Sequence, residues 1–60
     1  MTVALTPRRE IDDLVLQLKG LVHVRALLET RGASADELDA HSDEIARIRA
    51  ELARRVQQAA

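Results

Sequence analysis

Apolar residues recur along the first half of the chain at alternating steps of three and four. Ile11, Leu14, Leu18, Leu21, Arg25 and Leu28 form one such line, the seam of a helix packed against another helix. One seam position is charged. Val15, Val22, Val24 and Leu27 widen the stripe on its flanks, so this helix carries more apolar surface than one neighbour covers. A second line, Leu38, His41, Ile45, Ile48, Leu52 and then Arg55 or Val56, is narrower because its flanks are Ala, Ser and charge. The pattern predicts a central first helix and a peripheral second one.

Punctuation between the two lines places their ends. Residues 1–5 read as a loose lead-in, Thr6 as an N-cap, and Pro7 as the first helical residue, where a missing N–H does no harm. Helix 1 then runs over about 7–31. Gly32 suits the left-handed position after a helix, with Leu28 and Ala33 placed for the apolar contact of a Schellman ending. Ser34 followed by Glu37 is a capping box, and Asp36 adds negative charge at the positive end of the new helix. Helix 2 covers about 35–58. A turn of residues 32–34 makes the helices antiparallel neighbours, each about 36 Å long. Gly20 sits mid-helix, at a cost of about 1 kcal/mol relative to Ala, a loss that the close approach of a neighbouring backbone would offset.

Length decides whether such a hairpin can stand alone. A chain of 60 residues buries only about 60% of the surface its unfolded form exposes, and domains this small need disulfides, a metal or association with further chains. The chain has no cysteine, which removes disulfides and the commonest zinc frameworks. Association remains. The expected fold is therefore an all-α, antiparallel two-helix hairpin of one domain that dimerises, coiled-coil-like, into a four-helix bundle. Its expected core is Ile11, Leu14, Leu18, Leu21, Val22, Leu28, Leu38, Ile45, Ile48 and Leu52.

Charge and composition narrow the partners. No apolar run approaches the roughly 20 residues of a membrane span, and the opening MTVALTPRRE lacks the apolar core of a secretory signal. A cytoplasmic protein is expected. A net charge of −1 gives no global pull toward nucleic acid, and the absence of Phe, Tyr and Trp removes the rings on which bases stack.

Folding the seams together about Ala33 pairs Leu28 with Leu38, Leu21 with Ile45, Leu18 with Ile48 and Leu14 with Leu52. In that register Arg25 falls opposite His41, as a polar core layer that fixes register or as a small-anion site sensitive to protonation of His41. Glu37, His41 and Glu44 share one side of helix 2, but their spacing is not the Glu-x-x-His of di-iron bundles and helix 1 adds no inner glutamate. No metal or cofactor is expected. His23 projects from the polar stripe with Lys19 and Ala26, and no cysteine, serine or threonine is paired with a histidine as a nucleophile. Pairs such as Asp43 with Arg47 and Glu51 with Arg55 have the spacing of helix-surface ion pairs.

The segment RREIDDLVLQL, Arg8 to Leu18, resembles the opening of the first helix in all-helical chorismate mutases. Those enzymes need two further helices and several cationic residues converging on a dicarboxylate, whereas this chain offers one further helix. The resemblance does not carry the activity. The sequence points instead to a non-enzymatic interaction module that pairs with itself and, through Leu16, Val24 and Leu27, docks onto a larger protein. The alternative is a small regulatory nucleic-acid binder using Arg47, Arg49, Arg54 and Arg55; the third option is an anion-binding dimer centred on Arg25 and His41.

Overall fold

The computed structural model describes residues 7–59, so the lead-in at 1–5 and the cap at Thr6 lie outside it. Two helices account for the described chain: α1, Pro7–Thr30, and α2, Ala35–Ala59. They pack against each other as a hairpin.

The turn between them satisfies the backbone groups that both helix ends leave open. Gly32 has φ 82°, a left-handed conformation that side chains disfavour. Its N–H donates to the Glu29 carbonyl at 3.1 Å and the Ala33 N–H donates to the Leu28 carbonyl at 2.9 Å. Those two bonds make a complete Schellman ending. Arg31 is the residue half inside it, its N–H shared between the Leu27 and Leu28 carbonyls at 3.0 and 3.1 Å, so α1 stops at Thr30, one residue short of the periodicity's limit. On the other side, the Glu37 N–H donates to Ser34 Oγ at 3.2 Å. The Ser34 N–H returns a bond to Glu37 Oε1 at 3.4 Å. The capping box closes the start of α2 as the first closes the end of α1.

Two contacts across the hairpin report its register. Arg25 Nε donates to Ser42 Oγ at 2.8 Å near the turn. At the open end Arg55 Nη1 donates to Glu10 Oε1 at 2.6 Å, across 45 positions of sequence. Each pair departs by one residue from the partners that folding about Ala33 assigns, so the register holds over the whole length.

Burial is concentrated in the middle of α2. Ile48 is 2% exposed and Ile45 8%, and they are the buried apolar residues of the described chain. The remaining seam residues, Ile11, Leu14, Leu18, Leu21 and Leu28 on α1 with Leu38 and Leu52 on α2, are half-buried. Two helices make a single layer, and one layer covers each seam from one side only. Among the described residues no helix is long and apolar enough to cross a membrane.

Gly20 has no atom within 4 Å of where a Cβ would stand, so α2 does not use the gap it leaves. Gly20→Ala is therefore expected to stabilise the helix, by about 0.5–1 kcal/mol. Gly32→Ala should destabilise by about 1 kcal/mol or more, because φ 82° strains any side chain. Chemical denaturation followed by circular dichroism measures both, and equal effects at the two glycines would refute the distinction.

Candidate interaction site

The polar seam residues come together differently from the pairing that layer counting assigns. Arg25 reaches Ser42, at 2.8 Å, and lies 4.0 Å from Glu29 on its own helix. His41 turns back along α2, its Nδ1 3.0 Å from the Glu37 carbonyl. The reason is reach: the long arginine stem carries its head beyond the layer to the flank, where Ser42 stands, whereas the short histidine finds an acceptor one turn back. Ser42 is the partner of Arg25 that counting missed. Its signal was its position beside His41 on the flank facing Arg25.

The other candidate ligands are similarly engaged. Glu37 serves the capping box, and Glu44 holds Arg47, which donates through Nε to Oε1 at 2.9 Å and through Nη2 to Oε2. Arg47 thus pairs with Glu44, not Asp43, because both oxygens of the longer carboxylate meet the guanidinium fork. Among the described residues no group of three or more potential metal-binding side chains gathers. No pocket opens there either.

The two long faces of the hairpin differ in character. In antiparallel helices, residues directly following equivalent seam positions fall on one shared face, and those directly preceding them fall on the other. The preceding positions are Glu10, Gln17 and Val24 on α1, Arg31 just past its end, and Glu37, Glu44, Glu51 and Gln58 on α2, with Glu10 joined to Arg55, Arg55 Nε donating to Glu51 Oε2 at 2.9 Å and Arg54 also on Glu51. Apart from Val24, which is 42% exposed, this face is polar and largely paired within the hairpin. The following positions are Val15, Val22 and Glu29 on α1 with Ser42, Arg49 and Val56 on α2. Here Val22 is 44% and Val56 49% exposed. The face carries apolar surface left open to solvent beside the half-buried seam.

Comparison with protein families, curated proteins and solved structures finds no match. The surface must speak for itself. Leu16, Val24 and Leu27, the three residues expected to meet a larger partner, are exposed by 66%, 42% and 43%. With Gly20 they recur at spacings of four, four and three along α1, Leu16, Gly20 and Leu27 on its outer side and Val24 at the edge nearer Glu37 and Glu44. Four of the five large exposed apolar residues therefore belong to α1, and Val56 is the one on α2.

Of the four arginines late in α2, Arg47, Arg54 and Arg55 are held by carboxylates. Arg49 has no ionic partner among the described residues. The hydrogen bonds from Arg47 lower the Glu44 carboxyl below its ordinary value, and the same bonds raise Arg47. A depressed carboxyl stabilises the fold above its unfolded-state value, and that contribution is lost as pH falls through the folded-state value. A carbon-detected titration of Glu44 should accordingly show a midpoint below the ordinary glutamate range. Arg47→Ala should return it to that range; a midpoint unmoved by the substitution would exclude the pair as the cause.

Proposed function

We infer that this chain is a non-enzymatic assembly module of the cytoplasm whose hairpins pair into a four-helix bundle. The observation that carries the reading is a seam left half-buried: among the described residues only Ile45 and Ile48 are buried apolar side chains, while Ile11, Leu14, Leu18, Leu21, Leu28, Leu38 and Leu52 keep part of their surface and Val22 is 44% exposed. A second layer taking up about 800 Å² on each partner, the size of a standard stable interface, would cover them.

The outer stripe of Leu16, Val24 and Leu27 lies on another side of α1 from that interface, which leaves it for a larger protein and gives the module an adaptor's two surfaces. The nucleic-acid reading is weaker on the same geometry. Phosphate contacts require free cations, and three of the four late arginines are already held within the hairpin.

Sedimentation equilibrium over a wide concentration range tests the assembly, with helicity read by circular dichroism on the same samples. A helical species of twice the chain mass is expected, and Val22→Asp should shift it toward monomer by placing an unpaired charge in the interface. A helical species that stays at the mass of one chain throughout would refute the reading.

A further inference from the structure

Resting on that self-association, we propose that the second copy covers the face of Val15, Val22 and Ser42 with its turn at the opposite end, so that the two hairpins run head to tail. The choice of face follows from the contrast already described. One long face is mostly glutamates and arginines that satisfy each other, with Val24 exposed at its edge, and the other exposes Val22 and Val56 beside the half-buried seam.

The orientation follows from where charge lies on that face. Arg49 follows Ile48 in the seam, and Lys19 follows Leu18 at the rim of the same face. With the chain folded about Ala33, Arg49 stands at the height of Gln17, so the two cations form a band roughly 22 Å from the turn. Glu29 follows Leu28 on this face and Asp39 follows Leu38 at its rim, as Lys19 does, and they form an anionic band roughly 8 Å from the turn. Arg25 lies at this second height but is engaged with Ser42 and Glu29. Asp12 lies farther out, roughly 31 Å from the turn, past the end of a head-to-tail partner.

A two-fold axis across the helices near Val22 is midway between the bands. It lays each cationic band of one copy over the anionic band of the other, twice per dimer, and brings the exposed Val22 side chains of both copies together at the centre. Pairing with both turns at the same end does the reverse, setting each band on its own copy. Like charges so placed oppose association. Arg49 thereby gains the carboxylates it lacks among the described residues of its own chain, and the second copy is the partner whose charge pattern complements this face.

Charge reversal and crosslinking test the arrangement on the full chain. Arg49 has no charged residue three or four positions away on α2, so its reversal leaves the hairpin's own ion pairs intact. Arg49→Glu and Asp39→Arg should each weaken dimerisation, by roughly threefold to tenfold, and an equimolar mixture of the two variants should recover it. A single thiol introduced by Val22→Cys should form an intermolecular disulfide readily, whereas one introduced by Ala33→Cys should not, the two turns standing roughly 30 Å apart. A dimer that Arg49→Glu strengthens, or that crosslinks faster through residue 33 than through residue 22, would overturn the head-to-tail arrangement while leaving self-association standing. A wild-type chain that stays monomeric at every concentration would overturn both.

Discussion

The register of the hairpin hangs on the doubly capped turn between Leu28 and Leu38. Two helices of leucine, isoleucine and valine could slide past one another by a heptad and still oppose apolar residues, because such layers resemble each other. The turn removes that freedom. Gly32 takes the one conformation that lets Ala33 and Gly32 reach back to the Leu28 and Glu29 carbonyls, and Ser34 and Glu37 then satisfy each other at the start of α2. Each link is local, and together they set the height at which every α2 residue meets α1. The Arg25–Ser42 bond near the turn and the Arg55–Glu10 bond at the open end sit at heights that this one constraint dictates.

A fixed register still leaves a single layer, and that is where packing energy runs short. Full burial of an isoleucine contributes about 1.5–3 kcal/mol, and within the hairpin only Ile45 and Ile48 approach it among the described residues. The leucines around them lose part of their water and keep the rest. The helices spend their polar residues on one long face, where Glu10, Glu51 and Arg55 form a chain of charge-assisted bonds that is partly screened by solvent. The opposite face is left apolar by comparison. The same antiparallel geometry that pairs the seams also separates a surface fit for water from one suited to a second layer.

Much of this was legible from the residues, for a physical reason that varies with the feature. The turn could be read because capping is chemistry between neighbours: a glycine after the last apolar turn and Ser34 three residues before Glu37 need no tertiary knowledge. The register could be counted from the turn. The partner of Arg25 could not, since counting assigns layers while hydrogen bonds are chosen by reach, and the arginine stem passes His41 to meet Ser42. Asp43 and Glu44 are adjacent in sequence, and spacing alone favoured the first for Arg47. Side-chain length decided for the second. Gly20 read as a place of close approach, yet its outward position leaves it open, because the glycine lies across the helix from the seam.

Assignment of the flanks required the direction of the second helix as well as its existence. Val15, Val22 and Val24 all widen the same stripe in a linear reading, and nothing in α1 alone separates them. Once α2 runs antiparallel, Val22 joins Arg49 and Val56 on one face, while Val24 falls on the side of Glu37 and Glu44. Between two copies no turn enforces alignment, so apolar contact can hold them together without selecting an orientation. Charges at the margin of an apolar face can select one, since reversing a copy exchanges attraction for repulsion while the buried area stays nearly the same. On this hairpin the covalent turn sets alignment within the chain, and in the dimer we propose the placement of Lys19, Glu29, Asp39 and Arg49 carries the corresponding information for alignment between chains.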